Sequence, residues 1–329
     1  MASHRSKQVL VLKRMDMTIL VVGSINMDMV TRSSRLPVPG ETLLGDDFAT
    51  VPGGKGANQA VAVARLGVRV QLVGRVGADG FGSELLASLR ASDVGTEAVL
   101  VDRTVRSGVA AIAVDDRGEN QIIVVPGANG RINGNDVERT ISLLTNATAL
   151  MLQCEIPLSI VQRVAQATHE RGIPVILDPA PVPSYFPDDL YPLIDIITPN
   201  ETEATQLVGF PVNTPETAAR AATILRQRGA KAIVIKLGSQ GAFCATADDT
   251  FHVPSFPVTV VDTVAAGDAF NGALAVALTK GLSLQQAVRW GTAAGALSTT
   301  CAGAQPSLPD WGMFEAFLRE QGEKETLVI

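Results

Sequence analysis

Asp268 ends the run Asp262-Thr263-Val264-Ala265-Ala266-Gly267-Asp268, whose residue types suit the transfer of a phosphoryl group. The small residues Ala265, Ala266 and Gly267 lead into a helix expected to begin near Asp268. Free backbone amides at such a helix start form an anion hole. Donors of that kind act most strongly on charge that develops in a transition state. A carboxylate beside the hole is placed to take the proton from an attacking hydroxyl. An Asp at a helix N-terminus also has a purely electrostatic reason to be there. The small residues before it weigh toward catalysis.

Four further segments carry residue types that bind ligands. Gly53-Gly54-Lys55-Gly56-Ala57-Asn58 combines glycines, which let backbone amides approach a ligand, with a cation and a carboxamide on the next helical turn. It is not a P-loop, because no Ser or Thr follows Lys55; the plainer alternative is a hinge. Asn26 and Asp28 stand two residues apart and suit hydrogen bonding to a polyol, although both types also favour turns. Glu155 follows an apolar run, where a carboxylate needs a partner or a surface position. Asn200 and Glu203 have capping-box spacing, which also places Glu203 where it could face a magnesium ion through water. Gly74 to Gly82 lacks the G-x-G-x-x-G spacing of a dinucleotide site.

Ligands of open parallel sheets collect at the carboxyl ends of strands, so strands must precede these segments. Thr18–Ile25 reads as a buried first strand that ends in a polar turn at Asn26–Asp28. Strands are expected at Arg69–Gly74, Leu150–Gln153, Pro174–Leu177, Asp195–Thr198 and Ala232–Lys236. Helices are expected at Ala57–Leu66, Phe81–Arg90, up to Arg171, from Asn200 and after Thr214-Pro215. The last third reads as mostly helical, with Ser283 and Gln286 as a capping box. This alternation predicts an α/β fold with a mainly parallel central sheet covered by helices on both faces. Gly108–Val114 and Asn120–Val125 flank Asp115–Gly118, a hairpin signal outside that rhythm, and predict a small β-sheet lid.

The bulk properties narrow the function classes. The 329 residues carry a net charge of −6, so neither nucleic acid nor an anionic membrane is an expected partner. Three scattered cysteines and three scattered histidines argue against a disulfide framework, a zinc site and a Ser-His-Asp hydrolase, and they fit a reducing cytoplasm. No apolar run reaches the length of a membrane span. Residues 1–17 read as a flexible, basic extension and residues 18–329 as one domain whose lid is built near 37–52 and 108–125.

The segments GSINMD, PGET, GGKGANQAVAVARLG, TPNETEA, KLGSQG, DTVAAGDAFNGAL and GAQPS together resemble the ribokinase-like (PfkB) carbohydrate kinases from about Thr18 to Leu318. LQCEIP and DPAP draw the resemblance toward the ribokinase branch of that family. The resemblance implies ATP-dependent phosphorylation of D-ribose at O5, with Asp268 as base and the amides of Ala265, Ala266, Gly267 and Asp268 as anion hole. It implies that Asn26, Asp28, Gly54, Lys55, Asn58 and Glu155 hold the sugar. Asn200, Lys236, Gly238, Ser239 and Gly267 would line the ATP site, with magnesium near Glu203 through water. Asp262, the carbonyl of Val264 and Ser307 would hold an activating potassium ion. A homodimer formed through the lid is a further implication. Val264 and Lys236 depart from the residues common in the family at those places. Another small sugar or nucleoside as acceptor (deoxyribose, fructose, adenosine), a silent sugar sensor and a nicotinamide dehydrogenase are the competing functions. The Asp268 segment speaks against the sensor, and the missing G-x-G-x-x-G fingerprint against the dehydrogenase.

Overall fold

The computed structural model describes residues 17–322. All of the expected N-terminal extension except Met17 lies outside the described residues. The first strand, β1 (Thr18–Val22), is buried along its whole length. It is followed by β2 (Asn26–Arg32), β3 (Asp47–Gly53), α1 (Lys55–Arg65), β4 (Arg69–Gly77) and α2 (Gly80–Ala91). Next come β5 (Val99–Asp102), β6 (Gly108–Val114), β7 (Asn120–Val125) and α3 (Gly134–Leu143). The middle of the chain alternates through β8 (Ala147–Gln153), α4 (Leu158–His169), β9 (Val175–Asp178), β10 (Ile196–Ile197), α5 (Glu201–Val208), α6 (Pro215–Gln227) and β11 (Ala232–Lys236). The remainder is β12 (Ala242–Ala245), β13 (Thr250–Val253), α7 (Ala266–Thr279), α8 (Leu284–Ser298) and α9 (Trp311–Glu320).

Nine strands form one sheet in the order β13-β12-β11-β10-β9-β8-β1-β4-β5. Pairing is parallel from β11 to β5 and antiparallel where β12 and β13 extend one edge. Successive side chains of a strand point to opposite faces, and β1 shows this directly. Ile19 and Val21 enter a core shared with α1, α2, α7, α8 and α9, whereas Leu20 and Val22 enter a core shared with α3, α4, α5 and α6. Fully buried strands explain the continuous apolar runs in the sequence. The β4 residue Arg75 is an exception. Its guanidinium is buried and donates to Asp136 of α3 at 3.0 and 2.6 Å and to Asp102 of β5 at 3.2 Å.

A second sheet, ordered β3-β2-β6-β7, stands apart from the first. The hairpin turn lies where expected: Asp115 N–H donates to the Glu119 carbonyl, and Gly118 adopts φ +80. Asn26–Asp28 is the clearest correction. The first strand stops at Val22, and Asn26 and Asp28 begin β2 rather than making a turn. β2 pairs along its whole length with β3 and β6, and that tertiary pairing overrides the local turn preference of Asn and Asp. The small sheet therefore includes residues 26–32, whereas residues 37–46 form no strand. Neither β5 nor the β12–β13 hairpin was expected from the sequence. α7 begins at Ala266, two residues before Asp268, so the carboxylate lies within the first turn.

Candidate active site

α7 starts without a side-chain cap, and its N-cap residue Ala265 sits at φ +60. A left-handed conformation costs a non-glycine residue about 1–2 kcal/mol, and outliers of this kind gather where a ligand is held. The Ala266 amide donates to the Thr263 carbonyl at 3.3 Å, and no side chain caps the amides that follow it at Gly267 and Asp268. Asp268 is 5% exposed. Its Oδ2 accepts from Asn58 Nδ2 at 2.9 Å and its Oδ1 from Gln59 Nε2 at 3.1 Å, both from the first turns of α1. Burial, aided by the nearby Asp178 charge, raises its pKa to about 6 against the pull of Lys55 and the two carboxamides. A base with that pKa is ionised near neutral pH and still holds a proton well enough to accept one.

Gly54 delivers the chain into α1 at φ +89, and a Cβ there would lie 2.7 Å from the Asn26 nitrogen. Only glycine allows this approach of the β3–α1 corner to the start of β2. Glu155 Oε2 gathers that corner: it accepts from Ser24 Oγ at 2.5 Å, the Lys55 amide at 3.1 Å and Asn26 Nδ2 at 3.5 Å. Asn129 braces the other side, donating to Asn26 Oδ1 at 2.7 Å and bonding the N–H and C=O of Ile25. Asp28 faces this cluster, and burial together with the charges of Glu155 and Asp268 raises its pKa to about 7. Burial alone would lower the pKa of Lys55, but Asp268, Asp178, Glu155 and Glu203 outweigh it and hold the ammonium charged.

A cleft of about 890 Å³ opens beside these groups, with Lys55, Asn200, Glu203, Lys236, Gly238, Ser239 and Ala265 to Asp268 on its walls. Lys236 Nζ donates to Asp178 Oδ1 at 3.0 Å and lies 3.3 Å from where a Cβ on Gly267 would stand. A cation therefore sits at the open end of α7. Asn200 and Glu203 form the capping box the spacing predicted, with Asn200 N–H donating to Glu203 Oε2 at 2.8 Å and Glu203 N–H to Asn200 Oδ1 at 2.8 Å. The Glu203 pKa is nevertheless raised, by burial first and then by Asp178. The capping and ligand-facing roles are thus compatible in one residue.

The remaining candidates lie on two joined loops. Asp262 accepts from the Val264 amide at 3.0 Å and from the Gly303 amide at 2.9 Å. Val264 is exposed, and Ser307 is buried with its hydroxyl donated to the Ala304 carbonyl at 2.8 Å. Sequence reasoning gave no role to Gln59, Asp178, Ser24 or Asn129. Asp178 ends β9, so the rule that found Glu155 at a strand's carboxyl end would have found it too. Gln59 adjoins Asn58 in the glycine-rich segment, but Asn129 follows an unremarkable Pro-Gly-Ala turn.

The family model for pfkB family carbohydrate kinases matches residues 16–311. A ribokinase of Haemophilus influenzae is 38% identical over 292 residues, spanning 89% of this chain and 95% of the relative. A deoxyribokinase of Salmonella typhi is 35% identical over 302 residues, spanning 92% and 99%. The solved structure of Arabidopsis thaliana ribokinase complexed with ribose and ATP superposes with a TM-score of 0.85 at 36% identity, over 93% of this chain and 99% of that one.

Proposed function

The chain belongs to the pfkB family of carbohydrate kinases, and from that premise we propose that it transfers the terminal phosphoryl group of ATP to O5 of D-ribose. The observation that carries this reading is the buried Asp268 carboxylate, held by Asn58 and Gln59 at the uncapped start of α7. The 5-hydroxyl oxygen attacks the γ-phosphorus, the bond from that phosphorus to the ADP oxygen breaks, and the hydroxyl proton passes to Asp268. The Ala265–Asp268 backbone and Lys236 meet the charge on the moving phosphoryl group. Asn26, Asp28, Gly54, Lys55, Asn58 and Glu155 orient the sugar, and Asn200, Gly238 and Ser239 seat the nucleotide. A relative named for ribose and ATP, with a TM-score of 0.85, supports both ligands.

Magnesium supplies charge neutralisation to the ATP phosphates in such transfers. Among the described residues no cluster of three or more His, Cys, Asp or Glu could hold a metal by itself. A magnesium ion would be held through water on Glu203, a carboxylate on the cleft wall, and through the phosphates. A potassium ion would be held by the oxygen-only set of Asp262, the Val264 carbonyl and Ser307, on two loops that Asp262 joins, and would steady the loop leading into the anion hole. Exposed apolar residues of the small sheet, among them Phe48, Ile122 and Ile123, support a homodimer formed through that sheet. Among the described residues no helix is long and apolar enough to cross a membrane. Free thiols at Cys154, Cys244 and Cys301 support a cytoplasmic setting.

The test is ADP release from ATP and magnesium with D-ribose, 2-deoxy-D-ribose, fructose and adenosine, with and without potassium. D-Ribose is expected to give the highest kcat/KM, and Asp268→Asn to lose about 10²–10⁴-fold. Higher kcat/KM for 2-deoxy-D-ribose would move the substrate to that of the Salmonella typhi relative. An active Asp268→Asn enzyme would overturn the mechanism.

A further inference from the structure

We propose that Gln59 is a positioning residue for phosphoryl transfer: its carboxamide fixes the Asp268 carboxylate and ties it to the Asp178–Lys236 ion pair in the nucleotide cleft. This inference rests on Asp268 being the base. The Gln59 side chain is 1% exposed, so each of its polar atoms needs a partner. Nε2 carries two N–H groups; one goes to Asp268 Oδ1 at 3.1 Å and the other to Asp178 Oδ2 at 3.0 Å. Oε1 accepts from Gln153 Nε2 at 2.7 Å, and Gln153 is fully buried.

These three bonds fix the amide's orientation. A flipped Gln59 would turn its oxygen toward two carboxylates and its NH₂ toward another NH₂. A neutral carboxamide that donates to both carboxylates screens two like charges without adding a third. Asp268 is thereby held at both oxygens, by Gln59 on Oδ1 and Asn58 on Oδ2, with lone pairs left for the sugar hydroxyl. The charged groups that act on Asp268 are Lys55 of α1, Asp178 at the end of β9 and Asp28 of β2. Lys236 reaches it indirectly, through Asp178. A phosphate that draws on Lys236 alters the compensation of Asp178, and the shared amide carries that change to the base.

The experiment is the pH profile of kcat/KM for D-ribose at saturating MgATP, measured for wild type, Gln59→Met and Asp268→Asn. Loss of a hydrogen bond to the ionised carboxylate raises its proton affinity. Gln59→Met is therefore expected to move the acid limb up by about one pH unit. It is expected to lower kcat about tenfold at pH 7 and leave KM for the sugar within about twofold. A folded Gln59→Met enzyme with an unmoved limb and unchanged kcat would overturn the inference, since a purely packing role lowers only Tm. If Gln59→Met does not fold, Gln153→Met takes its place. It removes the bond that orients Gln59, and Gln153 Oε1 has no partner to lose. The same upward shift, smaller in size, is expected, and an unmoved limb again overturns the inference. Activity retained by Asp268→Asn would instead remove the base assignment itself, so the two failures are distinguishable.

Discussion

Asn58 and Asp268, 210 positions apart in the chain, meet through a hydrogen bond of 2.9 Å between Nδ2 and Oδ2. One stands on the first turn of α1 and the other on the first turn of α7. Both helices pack on the same face of the main sheet, beside Ile19 and Val21 of β1. The Asp268 carboxylate therefore acquires its partners only when the two ends of the chain have assembled.

The acid limb of the pH profile should report two carboxyls. Burial first, and neighbouring carboxylates second, raise Asp268 from 3.8 to about 6 and Asp28 from 3.8 to about 7. On the proposed mechanism both must be ionised, one to accept the proton and one to accept a sugar hydroxyl. The logarithm of kcat/KM is expected to fall with a slope approaching two below pH about 6. Asp28→Asn should reduce that slope to one. A wild-type slope of one would show that Asp28 does not take part.

The same two shifts carry a sign for stability. Between the ordinary 3.8 and the raised values, the folded state binds more protons at these carboxyls than the unfolded chain does. Their contribution to stability therefore falls as pH rises through that window and is constant above about 7. Asp28→Asn and Asp268→Asn should each flatten the dependence of Tm on pH between 4 and 7. An unchanged curve would speak against the raised values.

Gly54→Ala should damage sugar binding before it damages the fold. The added methyl meets the Asn26 nitrogen at 2.7 Å and the Ser24 carbonyl at 3.0 Å, at a φ of +89. Relief requires β2 and the α1 entry to part, which separates Asn26 and Asp28 from Lys55 and Asn58. A rise in KM for the sugar of about tenfold or more is expected, with a stability cost of about 1–3 kcal/mol. Isothermal titration with D-ribose and a denaturant melt measure the two effects separately.

Asp136→Ala should destabilise the protein without touching catalysis directly. Asp136 is 1% exposed and takes both Arg75 and Arg139, and its removal strips the buried Arg75 of its shortest contact. Removing one partner of a buried pair costs about 3–5 kcal/mol. Chemical denaturation should show a loss near the lower end, because Asp102 still faces Arg75. Replacing Arg75 by Met together with Asp136 by Leu should recover much of it.

Asp262→Ala should abolish potassium stimulation while leaving a basal rate. Asp262 ties the Val264 amide and the Gly303 amide, joining the two loops that carry the proposed ion ligands. Titration of activity with potassium chloride at constant ionic strength is the measurement. Stimulation equal to wild type would remove Asp262 from the ion site.

The central strands, the helix alternation and the Asp268 segment were all legible in the sequence, because buried parallel strands and a small-residue helix start leave strong local patterns. What was hidden depends on partners far away in the chain. Asn26 and Asp28 read as a turn until β3 and β6 claim them as strand. Gln59 looks like one more polar residue on a helix until Asp178, Gln153 and Asp268 arrive around it from three other segments. Asn129 leaves no local trace because its work is to bond the backbone of Ile25, 104 residues away. β5 and the β12–β13 hairpin are short edge elements whose strand character comes from the neighbour they pair with.

The placement of Asn26 and Asp28 on β2 gives the small sheet a second character. A cover that merely shut over the sugar would be indifferent to which sugar lay beneath. On the proposed reading of this sheet as a lid, its own strand bears two of the proposed contacts, so reading the hydroxyls and sealing the site would be a single event. An acceptor with a misplaced hydroxyl would then forfeit closure as well as a bond, and discrimination would be expected in turnover more than in affinity. The nucleotide cleft, lined mostly from Asp178 onward, shares only Lys55 and Asp268 with the proposed sugar contacts. Acceptor preference can thus drift between relatives while the phosphoryl donor stays the same.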